Sequence, residues 1–149
     1  MKKLLITGAT GFLGRNLMQR IDRRQYEVYA LGRTRPESVD EGHFHACDWM
    51  KPDMQEVSGF LEEIRADALM MLAWDVGTQS YWESFANHRW ADVSIQLAEA
   101  FLSTGGGING FYFLAPRPAM IISWDGLRRS LRMNGLPLYM ALRNCMLLR

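Results

Sequence analysis

The fold of this chain is decided by the stretch Ile6-Thr7-Gly8-Ala9-Thr10-Gly11-Phe12-Leu13-Gly14, in which a glycine recurs at every third position. The apolar run before it, residues 3–7, predicts a short buried strand. The pattern after it predicts a helix over residues 11–22, with an apolar face made of Phe12, Leu13, Leu17, Met18 and Ile21. Glycines at this spacing between a strand and a helix let the backbone approach a pyrophosphate and set it on the helix N-terminus. The stretch therefore predicts a phosphate-binding turn.

Strand and helix patterns alternate after this turn. Further strands are predicted at 27–31, 42–48, 68–73 and 111–114, with helices at 53–65 and 83–103. Such alternation with short turns implies a parallel sheet with right-handed crossovers, and hence an α/β, doubly wound, Rossmann-type fold. Beyond Ala115 the rhythm fails, because Pro116, Pro118 and Pro137 break up any long element. We therefore predict an incomplete domain over residues 1–115 and an irregular tail over residues 116–149.

Composition narrows the classes of function. The length of 149 residues suits one domain. The net charge of +1 argues against nucleic acid or an anionic membrane as an obligate partner. No apolar run reaches membrane-spanning length. Cys47 and Cys145 suit neither a disulfide framework nor a metal site, the three histidines lack metal-ligand spacing, and we expect a reduced, cytoplasmic setting.

Beyond these residue patterns, the chain resembles a known family, the extended short-chain dehydrogenases/reductases, and in particular the NAD(P)-dependent sugar-nucleotide epimerases and dehydratases. The resemblance covers about residues 1–107. It rests on the glycine stretch, on Cys47-Asp48-Trp49, on Leu72-Ala73-Trp74 and on Asn87. It implies a dinucleotide cofactor, a nucleotide-sugar substrate and, as one possible assembly, a homodimer. It also implies that Asp48 contacts the adenine and that Leu72-Ala73 lines the cofactor groove, although Met71 stands where the family usually has histidine. The expected cofactor-binding residues are Gly8, Thr10, Gly11, Phe12, Leu13, Gly14, Arg33, Asp48, Trp49, Leu72, Ala73 and Trp74.

The end of the second predicted strand distinguishes two cofactors. An acidic residue there would bind the ribose 2′-hydroxyl of NAD, but the chain has Gly32-Arg33-Thr34-Arg35. We therefore expect Arg33 to bind the 2′-phosphate of NADP, with NAD as the alternative if both arginines are only solvated. The aromatic residues Trp74, Trp82 and Trp90 are expected either to line a ligand cleft or to pack in the core.

The catalytic set that the resemblance implies is incomplete. The family uses a Ser or Thr after the fifth strand and a Tyr-x-x-x-Lys pair, whose tyrosine transfers the proton. Tyr139 is the candidate tyrosine, but Arg143 stands at the lysine position and Ala115-Pro116 at the hydroxyl position. Arginine does not reproduce the contacts of lysine. We therefore expect impaired catalysis in this chain.

A shift of reading frame would explain why the catalytic hydroxyl and lysine are missing. Residues 106–149 contain six arginines and one aspartate, with no lysine or glutamate, which is unusual for a solvated surface. Joining each codon's third base to the next codon's first two forces Asp at Met120-Ile121, Glu at Met133-Asn134 and Gly at Met140-Ala141. That frame permits Gly-Thr near Ala115 and Leu-Tyr-Gly-x-x-Lys over residues 138–144. We hypothesise that the chain is read out of frame from about residues 106–108 onward. A non-catalytic NAD(P)-binding module and a non-functional fragment are the alternatives to an enzyme.

Overall fold

The computed structural model of the chain describes residues 1–74, 86–104, 110–114 and 121–122. In the described part, nine elements follow one another as β1 (Lys2–Thr7), α1 (Phe12–Met18), β2 (Tyr26–Gly32), β3 (Phe44–Ala46), α2 (Met54–Ile64), β4 (Ala68–Met71), α3 (Ala86–Ser103), β5 (Gly110–Leu114) and β6 (Ile121–Ile122). A short 3-10 helix, Glu41–His43, precedes β3.

The described strands form one sheet in the order β3-β2-β1-β4-β5-β6. The pairs among β1 to β5 are all parallel. The sheet grows from β1 toward β3 on one side and toward β5 on the other. A gap for ligands therefore opens at the carboxyl ends of β1 and β4, as in other open α/β sheets. The predicted α/β fold with a parallel sheet is confirmed.

One strand was not predicted from the sequence. Ile121–Ile122 pairs antiparallel with β5, with Leu114 opposite Ile121. A two-residue strand shortly after Pro118 is too short to be indicated by periodicity. The rest of the predicted tail lies outside the described residues.

Helices cover both faces of the sheet and create two cores. Successive residues of a strand point to opposite faces, so Leu4 and Ile6 of β1 pack toward α1, whereas Leu5 packs toward α2 and α3. The α2 and α3 side holds the larger group of fully buried side chains, among them Leu61 and Phe101. This two-sided burial is the doubly wound arrangement that the alternation of patterns predicts.

The predicted apolar face of α1 is wrong at its first two positions. Phe12 is 77% exposed and Leu13 is 49% exposed, whereas Met18 is buried. Gly14 packs against the backbone of the glycine turn and thereby fixes which side of α1 faces the sheet. Met18 lies one turn further on the same side, and Phe12 points away from it. The rotation is set by a glycine contact that hydrophobic periodicity does not reveal.

Helix α2 begins and ends with recognisable capping residues. The Asp53 carboxylate accepts hydrogen bonds from the N–H groups of Gln55 at 2.9 Å and Glu56 at 3.2 Å. Arg65 ends the helix in the left-handed region, with φ of 44°, and donates its N–H to the carbonyl of Leu61. These caps satisfy backbone groups at both ends of α2 and so stabilise the helix.

None of the helices in the described ranges is long and apolar enough to cross a membrane.

Candidate functional site

The turn between β1 and α1 is built around two glycines that the protein's own packing requires. Gly8 has a φ of 71°, and a Cβ atom there would lie 2.6 Å from the backbone nitrogen of Ala73. A Cβ atom on Gly14 would collide with the carbonyl oxygen of Gly8 and would lie 2.6 Å from Ala9 Cα. Since the obstructing atoms are backbone atoms, side-chain rotation relieves neither clash. Gly8 and Gly14 thus bring β1, β4 and α1 into close contact.

Gly11 has a different role. Its φ of −70° and ψ of 174° suit any residue, and a Cβ atom there would meet only the carbonyl oxygen of Gly8, at 3.2 Å. Packing alone therefore restricts this position much less than it restricts Gly8 or Gly14. Gly11 is the N-cap residue of α1 and supplies no side chain to accept from the first-turn N–H groups. Backbone donors at an uncapped helix start, next to a residue without a side chain, suit the approach of an anion.

A groove runs from this turn along the carboxyl edge of the sheet. It encloses about 230 Å³ and is lined by the end of β2, by the segments that follow β1 to β4, and by one residue each of β3 and α3. The lining residues are Gly8, Ala9, Thr10, Gly11, Ala30, Leu31, Gly32, Arg33, Thr34, Pro36, Phe44, Trp49, Leu72, Ala73, Trp74 and Trp90. A volume below the 300–1,000 Å³ usual for sites of drug-sized ligands suits part of an elongated ligand.

Hydrogen bonds between β1 and β4 fix the inner wall of the groove. The Leu72 N–H donates to the carbonyl of Thr7 at 3.1 Å, and the Ala73 N–H donates to Thr7 Oγ1 at 3.3 Å. Thr7 is fully buried, and its hydroxyl oxygen accepts this hydrogen bond inside the protein. The segment after β4 is thereby held directly against the glycine turn.

The outer wall follows β2. Gly32 ends this strand, and a Cβ atom on it would meet nothing within 4 Å, so the position where NAD-binding proteins carry an acidic side chain is open space. Arg33 comes next, is exposed, and lines the groove. Arg35 is not among the lining residues: its Nη1 atom donates to the carbonyl of Val39 at 2.8 Å. The two arginines, which the sequence leaves equivalent, therefore have different surroundings.

Three tryptophans close the far side of the groove. The ring centroids of Trp49 and Trp90 are 5.7 Å apart, and those of Trp74 and Trp90 are 6.4 Å apart. Trp90 is 8% exposed and belongs to the core on the α2 and α3 side, yet it also lines the groove. The two alternatives for Trp74 and Trp90, cleft or core, are thus not exclusive at Trp90. Trp82 lies outside the described residues.

The predicted site residues divide into three groups. The structure brings Gly8, Thr10, Gly11, Arg33, Trp49, Leu72, Ala73 and Trp74 together along the groove. Phe12, Leu13, Gly14 and Asp48 are not part of the lining. Gly14 supports the turn from below, and the first two side chains point to solvent. Tyr139, Arg143 and Ala115 lie outside the described residues, as does the side chain of Asn87.

Asp48 has a local structural role. It is exposed, and its Oδ1 atom accepts from the Met50 N–H at 3.0 Å, which shapes the turn after β3. The implied contact between Asp48 and adenine stays a prediction. Sequence reasoning missed Thr34, Pro36 and Phe44 as lining residues. Only their position shortly after β2 or at the start of β3, at the ligand edge of a parallel sheet, would have indicated them.

Two of the described titratable groups near the sheet, Cys47 and Tyr29, have raised pKa values. Burial, and to a smaller extent the nearby Asp48 carboxylate, raises the pKa of the Cys47 thiol to about 11, so Cys47 stays protonated at neutral pH. Burial, followed by the hydrogen bond to Glu27, raises the pKa of Tyr29 to about 12. Within the described residues, no three side chains of His, Cys, Asp or Glu are grouped to hold a metal ion. Here the groove offers backbone donors, one arginine and aromatic surface, which suits binding.

Comparison with known families gives a match over most of the described strands. The sequence profile of the NAD dependent epimerase/dehydratase family matches residues 4–115, which span β1 to β5. No curated protein sequence matches the chain.

Comparison with solved structures gives many similar folds. The UDP-N-acetylglucosamine 4-epimerase from Bacillus cereus is 20% identical, with a TM-score of 0.57 over 77% of this chain and 38% of that one. The Bordetella bronchiseptica enzyme WbmG in complex with NAD is 13% identical, with a TM-score of 0.59 over 94% and 48% of the two chains. The dTDP-4-dehydrorhamnose reductase from Bacillus anthracis in complex with NADP is 17% identical, with a TM-score of 0.51 over 77% and 36%. This chain thus spans less than half the length of these proteins, and identities this low establish the fold alone.

Proposed function

Because this chain belongs to the NAD-dependent epimerase/dehydratase family, we propose that residues 1–115 bind a nicotinamide dinucleotide with its diphosphate on the Gly8–Gly14 turn. The observation that carries the proposal is Gly11, which the protein's own packing restricts less than the other two glycines of this turn. Its missing side chain leaves the uncapped N–H groups at the start of α1 open to an anion. The rest of the dinucleotide lies in the groove, between the outer wall at Arg33 and the inner wall at Leu72 and Ala73.

We further propose that the cofactor is NADP rather than NAD. Gly32 supplies no carboxylate for a ribose 2′-hydroxyl, and Arg33 lines the groove at the end of β2, where a 2′-phosphate would lie. Arginine is suited to phosphate because its planar group donates several hydrogen bonds at once. NAD is the alternative, since solved relatives are described with either cofactor.

The reaction proposed for the intact family member is epimerisation, dehydration or reduction of a nucleotide sugar. When bound, the dinucleotide supplies hydride transfer at a sugar carbon. Tyr139 is the proposed general acid and base, but the hydroxyl and lysine that accompany it in the family are replaced by Ala115-Pro116 and Arg143. We therefore propose that this chain binds the cofactor and turns over nucleotide sugars poorly or not at all. A non-catalytic NAD(P)-binding module is the second candidate, which the complete turn and groove favour.

The proposed frame shift accounts for both the lost groups and the strand that forms near them. Codons with U in the middle encode only Phe, Leu, Ile, Met or Val. Phe111, Tyr112 and Phe113 each begin with U, so the shifted codons that span residues 110–113 also have U in the middle. The start of β5 is thus apolar in either frame, while the polar catalytic residues after it survive in only one. The family match runs past the proposed shift to residue 115, as expected if this strand stays apolar in either frame.

Sequencing the coding DNA tests the frame shift. We expect the frame shifted after residues 106–108 to encode Gly-Thr near residue 115 and Tyr-Gly-x-x-Lys over residues 139–144 without an early stop. A stop codon in that stretch, or a different residue at the lysine position, would exclude the frame shift and leave the tail as a genuine sequence.

Thermal unfolding with and without cofactor tests the binding proposal. We expect NADPH to raise the midpoint more than NADH does, and we expect no turnover of UDP- or dTDP-sugars. Turnover of such a sugar would show that the chain is an active enzyme and would contradict the proposed loss of catalysis. The lack of any cooperative transition would favour the third alternative, a non-functional fragment. The boundary at residue 115, a homodimer and a cytoplasmic setting stay predictions.

A further inference from the structure

The loop over residues 33–40, which joins β2 to the 3-10 helix before β3, carries the outer wall of the groove. Thr34 and Pro36 of this loop line the groove next to Arg33. Pro36 is buried, and Val39 is 2% exposed in the core on the α1 side. The loop is therefore anchored at two apolar points, and the residues between them are exposed.

Arg35 closes the turn between these two anchors. Its Nη1 atom donates to the carbonyl of Val39 at 2.8 Å, while the Val39 N–H donates to the carbonyl of Pro36 at 3.0 Å. Both polar groups of the Val39 backbone are thus bonded within the loop. The Arg35 side chain joins the start of the Pro36–Val39 turn to its end.

A third contact ties the same turn to the body of the protein. Arg23, which lies between α1 and β2, donates from Nη2 to the carbonyl of Ser38 at 3.1 Å, and the same atom lies 3.4 Å from Ser38 Oγ. Both side chains at this contact are exposed, so it contributes little by itself. The bond from Arg35 is partly buried and is the stronger restraint on the turn.

We propose that Arg35 is a positioning residue of the cofactor site, which holds the Pro36–Val39 turn and thereby the Thr34 and Pro36 wall of the groove. This proposal rests on the proposed function, because the wall matters only if a dinucleotide binds there. The two neighbouring arginines then have different roles. Arg33 meets the 2′-phosphate and discriminates between cofactors, whereas Arg35 acts through the loop on the part that NADPH and NADH share.

The variants Arg33→Met and Arg35→Met form a matched pair, since each removes the guanidinium and keeps a long side chain at an exposed position. Dissociation constants for NADPH and NADH are measured for each by fluorescence titration. Arg33→Met should weaken NADPH about tenfold and leave NADH nearly unchanged, as expected for a lost charge-assisted bond. Arg35→Met should weaken both cofactors by the same factor, about two- to tenfold, so that their ratio stays constant. Arg35→Lys should recover part of the loss, because an ammonium group can still donate to the Val39 carbonyl.

Amide hydrogen exchange reads the loop directly and needs no cofactor. Arg35→Met should speed exchange of the Val39 N–H, whereas Arg33→Met should not. Equal exchange in the two variants would overturn the proposal, as would a loss confined to NADPH in Arg35→Met, which would make Arg35 a phosphate ligand. If the unsubstituted protein binds neither cofactor, the proposed function fails, and the exchange measurement alone decides whether Arg35 holds the loop.

Discussion

Substitution by alanine at two glycines of the phosphate turn should affect two different properties: the stability of the fold at Gly14 and the affinity for NADPH at Gly11. In Gly14→Ala the new methyl group meets the carbonyl oxygen of Gly8 and lies 2.6 Å from Ala9 Cα. These are backbone atoms of a turn that is itself packed against β4, so relief requires α1 to move. Overpacking of this kind costs about 3 kcal/mol, a large part of the stability of a small domain.

In Gly11→Ala the new methyl group meets only the Gly8 carbonyl oxygen, at 3.2 Å, and the backbone angles suit alanine. A shift of a few tenths of an ångström relieves this contact. Because alanine lowers the entropy of the unfolded chain, the substitution also stabilises the folded state by about 0.4–1 kcal/mol. The stability without ligand should therefore stay within about 1 kcal/mol of the unsubstituted protein. The methyl group stands where the diphosphate approaches, so the affinity for NADPH should fall at least tenfold, or about 1.4 kcal/mol.

Urea unfolding with and without NADPH separates these two effects. At a ligand concentration one hundred times the dissociation constant of the unsubstituted protein, binding adds about 2.7 kcal/mol to the free energy of unfolding. In Gly11→Ala this increment should fall to about 1.4 kcal/mol or less, because the ligand then stands at ten times the dissociation constant or below. A full increment in Gly11→Ala, or a loss without ligand as large as that of Gly14→Ala, would refute the separate roles given to the two glycines.

Three further predictions concern the scaffold. Asp53→Ala removes the cap that accepts from two N–H groups at the start of α2 and should lower the free energy of urea unfolding by about 1 kcal/mol, whereas Asp53→Asn should retain most of it. Leu61→Ala empties a position that is 1% exposed between α2 and the sheet and should cost about 3 kcal/mol in the same assay, and a loss below 1 kcal/mol would contradict the packing described. Because the pKa of Tyr29 is raised to about 12, its neutral form is favoured in the folded state, so its contribution is complete below pH 10 and is lost as the pH rises toward 12. Relative to Tyr29→Phe, the protein should lose about 2 kcal/mol over that range, and parallel stability profiles would contradict this assignment.

The glycine turn and the parallel α/β architecture follow from sequence because they rest on local rules. A strand, three glycines and a helix at fixed spacing leave few conformations, and alternation with short turns leaves few topologies. Capping residues such as Asp53 likewise act within one helical turn. These features therefore need no knowledge of distant contacts.

The features that sequence reasoning missed depend on distant contacts. The rotation of α1 is set where Gly14 meets the backbone at Gly8, so Phe12 is exposed although its spacing suits an apolar face. The difference between Arg33 and Arg35 arises from a hydrogen bond to Val39 in a loop without periodic pattern. Trp90 reaches the groove from α3 because α3 packs on the sheet, which brings its indole to 5.7 Å from that of Trp49.

In the proposed binding mode, the dinucleotide places its diphosphate on the backbone at the start of α1. Amide NMR spectra recorded during titration with NADPH test it most directly, because they report each N–H group separately. We predict that the largest shifts occur at Gly11, Phe12 and Leu13, with smaller shifts along the groove at Thr34 and Ala73. Shifts confined to residues away from this edge of the sheet, or an unchanged spectrum at millimolar NADPH (about a thousand times a micromolar dissociation constant), would contradict the account.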